Sequence, residues 1–384
     1  MFIYFAFLAV VVLIGIPMCR NKTGKAVYCS IAGIALFVFA AIRKYTGFDY
    51  NLYAQIYVDY LSMDLEKIGV HRFEKGIAMP MKLFGNVMYY DYQWMFVGYA
   101  FIFALVLMII LYRTSDKPYL GVFFYFTFGV YFVSLDFMRQ MVAAFVVILG
   151  MRYIKTNQFF RYLLVVIFAS CFHLSALVMI PFYFILKIKL TPVTLGIYSG
   201  IGILIFIFSW PIVKWIADNI LPRYSGYTNT MTNHEITGGR WPLYTIFYGV
   251  FFVLAFLFRK RLEKKDPMNH VWLNCMFFTF YFDLISLKHN IVGRLAIPFI
   301  IVASAILMPR VVECFIEWCG EKFRNSRKKK IIISTASLFV VTAACLGMYG
   351  YMIGTNFNGI NPYQTIYDDT PWVNPREVWE KSDK

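Results

Sequence analysis

An arginine and a glutamine stand at the start of an apolar stretch in the segment DFMRQMVAAFVVILG, which begins at Asp136. A charged side chain next to hydrocarbon is costly, so residues such as Arg139 and Gln140 usually face a cavity and often serve a function. A guanidinium keeps its proton, and its planar fork matches the oxygens of a phosphate group. The chemistry predicted here is therefore the binding of a phosphate at the mouth of an apolar helix.

Three further polar groups have a similar position beside an apolar run. They are Arg43, Lys44, Asp49, Tyr50 and Tyr53 in AIRKYTGFDYNLY, His173 and Ser175 in CFHLSA, and Lys288, His289 and Arg294 in LKHNIVGRLAIP. Each has a structural alternative, because long basic side chains can extend to the membrane interface and a single histidine often has a structural role. Taken together, the groups predict a binding site for a phosphate-bearing ligand such as a lipid-linked phosphate. Its predicted members are Arg43, Arg139, Gln140, His289 and Arg294.

The chain that must position these residues is strongly apolar. Of its 384 residues, 60% are hydrophobic, 20% are aromatic and only 15% are charged, whereas about a quarter are charged in an ordinary soluble chain. Apolar runs of about 17 to 25 residues, the length of a membrane-spanning helix, recur from end to end. We expect an all-α polytopic transmembrane bundle that forms a single integral membrane domain over residues 1–384.

The charge distribution, the cysteines and the missing sequence motifs exclude several classes of function. The net charge of +16 falls mostly in short loops between apolar runs, which indicates membrane orientation and not a nucleic-acid partner. The seven cysteines have neither CxxC spacing nor a histidine partner pattern, so we expect no bound metal. The sequence contains no P-loop, GxSxG or HExxH motif. We therefore expect no cofactor and no chemistry driven by a nucleotide.

The basic residues also predict the topology. If the N-terminus lies outside, the basic clusters, such as RKRLEKK from Arg259, fall in cytoplasmic loops. This requires the apolar run 162–186 to be broken near His173 into a helical hairpin inside the membrane. The result is about twelve crossings with both termini outside. The longer external segments are then 43–93, which we expect to contain interfacial helices, 214–241, and the C-terminal tail 353–384.

Several short motifs resemble those of the EpsG family, which contains Wzy-type polysaccharide polymerases of bacterial envelopes. They are RKYTGFDYNLY, FEKG, MRQMVAAFVVILGMRYI, CFHLSALVMIPFYFIL, the span that holds Arg294, and NPYQ near the end. Their order and spacing match the family over most of the chain. The family pattern usually reads Arg-Tyr-Gly-x-Gly-x-Asp-Tyr, whereas here Lys44 precedes Tyr45 and Thr46-Gly47-Phe48 replaces Gly-x-Gly.

The resemblance implies a glycosyltransferase of the bacterial inner membrane. Such an enzyme joins oligosaccharide repeat units, each carried on undecaprenyl diphosphate, at the face toward the periplasm or exterior, and it uses no nucleotide sugar. The growing chain leaves its lipid diphosphate and is transferred to a hydroxyl of the incoming unit. The expected partners are these lipid-linked oligosaccharides, membrane lipid and, as a further candidate, a chain-length regulator. The polymer belongs to an O-antigen (lipopolysaccharide), capsule or exopolysaccharide pathway.

Residue roles follow from that reaction. Arg139 and Arg294, with Arg43 in support, would bind the diphosphate and stabilise the charge that develops on it. The candidates for the general base are Asp49, Glu74 and His173. We favour His173 as the base because the pKa of an imidazole is near neutral pH, and the alternative is that His173 donates a hydrogen bond to the diphosphate while a carboxylate is the base. Tyr50 and Tyr53 are predicted to stack on sugar rings.

Two other functions fit the same residues. An O-antigen ligase shares the lipid-diphosphate donor and transfers the polymer to a lipid A core, although the order of motifs favours polymerisation. A flippase or transporter of lipid-linked sugars would also need basic residues in a cavity. Against the transporter, the chain shows no two-fold repeat of hydropathy, and its charged groups gather at one face and not at the midplane.

Overall fold

The computed structural model describes residues 2–62, 74–87, 91–219, 242–288, 290–321 and 326–368. Within these ranges the chain is predominantly helical, which is the architecture of an all-α membrane bundle. The chain divides into two compact units. The first unit comprises residues 1–180, 304–309 and 335–384, and the second comprises residues 181–303 and 310–334.

The first unit contains most of the N-terminal half of the chain. Its helices in chain order are α1 (Phe2–Met18), α2 (Lys22–Ala41), α3 (Tyr50–Ser62), α4 (Lys75–Val87), α5 (Gln93–Thr114), α6 (Pro118–Thr127), α7 (Val130–Asp136), α8 (Met138–Gly150), α9 (Arg152–Lys155), α10 (Phe159–Ser170) and the 3₁₀ helix Leu174–Val178. The helices α3 and α4 lie in the segment 43–93, where the sequence predicts interfacial helices in an external loop.

The second unit begins within the next helix, α11 (Met179–Ile185). The remaining helices are α12 (Pro192–Ile207), α13 (Ser209–Asn219), α14 (Pro242–Leu257), α15 (Arg259–Lys265), α16 (Asn269–Ser286), α17 (Asn290–Gly293), the 3₁₀ helix Arg294–Ala296, α18 (Ile297–Val302), the π-helix Ala303–Leu307, α19 (Met308–Glu321), α20 (Arg327–Gly354) and the 3₁₀ helix Phe357–Gly359. Residues 304–309, in the π-helix and at the start of α19, belong to the first unit. The last part of α20 and the residues after it also belong to the first unit.

The number of membrane crossings is bounded by helix length and composition. Four helices of the described ranges are long and apolar enough to span a membrane, and up to seven spans result if each of three bent helix pairs counts as one. Three shorter apolar helices are Phe2–Met18, Phe159–Ser170 and Leu174–Ile185. The expectation of about twelve crossings is not confirmed by these helices and stays a prediction, as does the external position of both termini.

The break predicted in the apolar run 162–186 is confirmed. Helix α10 ends at Ser170, and a turn leads into the 3₁₀ helix that begins at Leu174. The Tyr162 hydroxyl donates to the Met179 carbonyl at 3.0 Å, so the chain folds back beside α10 after the turn. His173 caps the 3₁₀ helix, because its side chain accepts the backbone N–H of Ser175. His173 therefore lies at the turn of a helical hairpin, and the run 162–186 is not one long helix.

A second break positions the start of α8. Helices α6 and α7 meet at an angle of 66°, and Gly129 between them has φ +71°, a backbone conformation that favours glycine. Helix α7 is buried along its whole length and ends at Asp136. Because α8 starts two residues later, the bend directs both Asp136 and Arg139 toward the same end of the first unit.

The segment after α20 packs back on the loop that follows α2. Strand β2 (Gln364–Thr365) pairs antiparallel with strand β1 (Arg43–Lys44), with Arg43 opposite Thr365. The Tyr363 ring stacks on Phe39 of α2 with the ring centroids 4.6 Å apart. The described part of the predicted external tail, up to residue 368, is thus an integral part of the first unit.

In the second unit, a buried amide joins α16 to the residues that follow α11. Asn274 is fully buried, and its side-chain NH₂ group donates to the carbonyls of Ile188 at 2.8 Å, His270 at 3.0 Å and Leu186 at 3.3 Å. The last carbonyls of a helix have no partner within the helix and need one from elsewhere when they are buried. Asn274 provides it here.

Replacing Asn274 by alanine should therefore destabilise the second unit. Loss of these hydrogen bonds removes the Asn274 partner of the buried Leu186 carbonyl, at a cost of about 1–3 kcal/mol, so the apparent midpoint of thermal unfolding in detergent should fall. Asn219→Ala is the matched control, since this exposed amide donates to the Trp215 carbonyl one turn earlier in its own helix. Equal midpoints for the two variants would contradict this role of Asn274.

Candidate functional site

Arg43 lies on β1, and only 2% of the residue is exposed. Its guanidinium donates to the Thr46 carbonyl at 2.9 Å and to the Met138 sulfur at 3.3 Å. The same group lies over the Phe96 ring, 5.0 Å from the centroid. Protein groups therefore surround this guanidinium, and the placement favours a structural role for Arg43 over direct contact with a ligand.

The carboxylate of Asp136 holds the start of α3. It is 3% exposed and accepts the backbone N–H of Asp49 at 2.8 Å, which provides a partner for an N-terminal amide of the helix from another part of the chain. Gly47 makes the turn before α3 with φ +108°. A Cβ at this glycine would lie 3.5 Å from the guanidinium of Arg43 and 3.6 Å from the Asp136 carboxylate. The turn thus brings α3 against α7 and the start of α8.

The two tyrosines predicted to bind sugar lie in buried aromatic clusters. Tyr50 is 1% exposed, donates to the Gln93 side chain at 2.8 Å and stacks on Phe96 with centroids 4.1 Å apart. Tyr53 is 4% exposed, and its hydroxyl oxygen accepts from Nε of Arg139 at 3.4 Å. Burial raises the pKa of the Tyr53 phenol, and Arg139 opposes this shift. Both positions favour a role in supporting neighbouring side chains.

Arg139 forms a close ion pair with Glu74. The distance from Nη1 of Arg139 to Oε2 of Glu74 is 2.5 Å, and the two side chains are 19% and 9% exposed. Arg139 lies in the first turn of α8, where a cation opposes the helix dipole. Glu74 immediately precedes α4 and offsets that charge. The pair joins the apolar helix α8 to the segment between α3 and α5.

The position of Glu74 depends on the hairpin after α10. The backbone N–H of Gly76 donates to the Cys171 carbonyl at 3.0 Å. A Cβ on Gly76 would lie only 2.5 Å from that oxygen, so any other residue would force the two segments apart. The start of α4 is thereby held against the turn that contains His173.

A chain of hydrogen bonds links α8 to the same turn. Gln140, the residue after Arg139, donates from Nε2 to the Ser175 hydroxyl at 3.1 Å. The Ser175 hydroxyl is 2.7 Å from Nδ1 of His173, and the Ser175 backbone N–H donates to this nitrogen at 3.2 Å. Arg139 and Gln140 therefore contact the two segments from which Glu74 and His173 come.

The structure thus brings five predicted residues into one network of contacts within the first unit. They are Tyr53, Glu74, Arg139, Gln140 and His173. Asp49 lies nearby through its backbone bond to Asp136, three residues before Arg139. The sequence did not indicate the structural roles of Asp136, Gly76 or the Cys171 carbonyl, although a glycine two residues after Glu74 is a signal for a close approach of two backbones.

The remaining predicted residues lie in the second unit. Arg294 begins the 3₁₀ helix Arg294–Ala296 and is half-buried. Lys288 donates to the Phe206 carbonyl at 3.2 Å, with its ammonium 4.0 Å from the centroid of that ring. His289 lies outside the described residues. The expected convergence of Arg294 with Arg139 stays a prediction.

The candidate site does not resemble a metal centre in the part of the chain that the structure describes. In the ranges that the structure describes, no group of three or more histidine, cysteine, aspartate or glutamate side chains has a geometry suited to a metal ion. The described part of the site offers instead one guanidinium, one carboxylate, one imidazole and one amide.

Comparisons with known proteins give one match. The model of the EpsG family matches residues 26–365. No curated protein and no solved structure is similar to the chain. The family match begins within α2, extends past β1 and the candidate site, and ends in β2. Because it covers most of the 384 residues, this multi-pass membrane protein belongs to the EpsG family.

Proposed function

We propose that the protein is a glycosyltransferase that polymerises undecaprenyl-diphosphate-linked oligosaccharide repeat units at the outer face of the bacterial inner membrane. Membership of the EpsG family supports polysaccharide polymerisation. The observation that supports the mechanism most directly is the ion pair of Arg139 and Glu74 beside the hairpin of His173. It provides an anion-binding group and a carboxylate side by side.

Arg139 is the proposed binding group for the lipid diphosphate. The guanidinium donates to a carboxylate in this structure, and the same planar fork can donate two hydrogen bonds to phosphate oxygens. A diphosphate carries more negative charge than one carboxylate and can therefore replace Glu74 on Arg139. As the bond between the anomeric carbon and the diphosphate breaks, negative charge increases on the phosphate oxygens. A guanidinium already in contact with them stabilises that charge.

Glu74 is the proposed general base. Once the diphosphate occupies Arg139, the Glu74 carboxylate is available beside the reacting groups. A hydroxyl of the incoming unit attacks the anomeric carbon of the growing chain, its proton passes to Glu74, and the lipid diphosphate leaves with the electron pair of the broken bond. Asp49 remains the second carboxylate candidate, since its backbone is tied to Asp136 and its helix carries Tyr53.

The other predicted residues have supporting roles in this proposal. Arg294 supplies a second guanidinium for the diphosphate, and His289 is a further predicted ligand. Arg43 positions the site and does not bind the substrate, because its guanidinium already contacts Thr46 and Met138. Tyr50 and Tyr53 also have positioning roles, because Tyr50 forms a hydrogen bond with Gln93 and Tyr53 forms one with Arg139. A chain-length regulator is the proposed protein partner.

Replacing Arg139 tests the binding role. Arg139→Ala should abolish chain extension, and Arg139→Lys should restore little of it, because an ammonium lacks the planar fork. We expect a loss of at least about 10²-fold. The measurement is the polymer ladder formed from lipid-linked repeat units by purified protein in nanodiscs, without added nucleotide.

Arg152→Ala is the matched control for this experiment, because this arginine of the short helix α9 is exposed and its guanidinium contacts the side chain of the neighbouring Tyr153. It should leave the ladder unchanged. A normal ladder from Arg139→Ala would remove Arg139 from the mechanism.

Replacing Glu74 separates proton transfer from binding. Glu74→Gln keeps the size of the side chain but removes the base, so chain extension should fall by about 10²–10⁴-fold. Binding of the lipid diphosphate should be retained or become tighter, because a neutral amide competes less for Arg139. Microscale thermophoresis with the lipid-linked unit measures this affinity.

Glu317→Gln serves as the control, since this exposed glutamate pairs with Lys265 in the second unit. If Glu74→Gln extends chains at the normal rate, the base is another group. If the Glu74→Gln variant instead no longer binds the lipid-linked unit, Glu74 acts in substrate binding.

A further inference from the structure

His173 has one ring nitrogen whose role is determined by its neighbours. The backbone N–H of Ser175 points at Nδ1 with an N–N distance of 3.2 Å. A backbone amide can only donate, so Nδ1 must accept. This is also the contact by which His173 caps the 3₁₀ helix Leu174–Val178. A proton on Nδ1 would face the amide proton and break the cap.

The Ser175 hydroxyl independently indicates that Nδ1 of His173 is a hydrogen-bond acceptor. Its oxygen is 3.1 Å from Nε2 of Gln140, and a side-chain NH₂ group can only donate. The hydroxyl therefore accepts from Gln140 and has its own proton to give. The Nδ1 nitrogen of His173 lies 2.7 Å from the hydroxyl oxygen and is the acceptor placed to receive it. Two donors thus converge on Nδ1.

A neutral imidazole has one proton, and if it is excluded from Nδ1 it must be on Nε2. We infer that His173 acts as a fixed Nε2–H donor to an oxygen of the lipid diphosphate, with Ser175 and Gln140 as the positioning residues that set its tautomer. A ring in this tautomer has no basic nitrogen at Nε2, so it does not take a proton from the acceptor hydroxyl. The inference rests on the proposed function and makes a carboxylate the general base.

The donor role is chemically suited to the step that breaks the glycosidic bond. The leaving diphosphate gains negative charge, and a preorganised neutral donor strengthens its hydrogen bond as that charge grows. The start of α4, held on the Cys171 carbonyl, keeps Glu74 and its partner Arg139 near the same turn. Arg139 at the start of α8 and His173 in the turn after α10 would then contact the same leaving group.

Two conservative replacements separate this role from a purely structural cap. Asparagine is a favoured helix-capping residue and can still accept the Ser175 N–H, but its short side chain cannot place an N–H at the position of Nε2. Glutamine is a weaker cap but can place its amide N–H near that position. A structural role predicts that His173→Asn is the better substitute, whereas a donor role predicts that His173→Gln is.

The experiment measures chain extension by purified full-length protein in nanodiscs, using lipid-diphosphate-linked repeat units extracted from a strain that lacks the protein. We expect His173→Gln to keep at least about a tenth of the wild-type rate, while His173→Asn and His173→Ala lose about 10²–10³-fold. Gel filtration and thermal unfolding confirm that each variant is folded. If His173→Gln does not fold, the asparagine variant decides alone: loss of rate at normal stability supports the donor role.

Either of two results would overturn the inference: an asparagine variant with the wild-type rate, or a folded glutamine variant as inactive as alanine. In both cases the wild-type ladder still supports the proposed function. Absence of a ladder from the wild-type protein would instead reject the proposed function itself. The two failures are therefore distinguishable in one series of reactions.

Discussion

The contact of Arg139 with Glu74 is the interaction on which the candidate site depends. It places a cation in the first turn of the apolar helix α8, where the helix dipole disfavours it, and compensates it with a carboxylate 2.5 Å away. Replacing a buried ion pair by apolar residues is often neutral for stability. Stability alone therefore does not require an arginine here, in keeping with the proposed binding of a phosphate by Arg139.

The surrounding architecture keeps this contact in place. The bend at Gly129 directs Asp136 toward α3, and the Asp136 carboxylate holds the start of that helix through the Asp49 amide. On the other side, the close approach of Gly76 to the Cys171 carbonyl fixes the start of α4. The site is thus assembled where helices end or break, since only there are backbone groups available for contacts from other segments.

Part of this arrangement could be predicted from sequence. The basic clusters fall on one side of the membrane only if the chain turns back within the run 162–186. The structure has this break before Leu174. This prediction succeeded because the cost of an uninterrupted span follows from the membrane environment alone. The cost of a charge beside hydrocarbon also drew attention to Arg139, whose functional role stays a prediction.

Other features could not be predicted, because they depend on contacts between distant segments. The residues after α20 return to pair with Arg43, a contact that no local pattern indicates. The Thr46 carbonyl, the Met138 sulfur and the Phe96 ring enclose the Arg43 guanidinium, although its position just after α2 resembles that of a ligand-binding residue. Likewise, the tautomer of His173 follows only from the positions of Ser175 and Gln140.

The most direct test of the account is an electron cryo-microscopy structure of the protein with a lipid-diphosphate-linked oligosaccharide bound. The account predicts diphosphate oxygens about 3 Å from the Arg139 guanidinium and from Nε2 of His173. It also predicts that the Glu74 carboxylate has moved away from Arg139. A diphosphate bound elsewhere, with the contact between Arg139 and Glu74 intact, would contradict it.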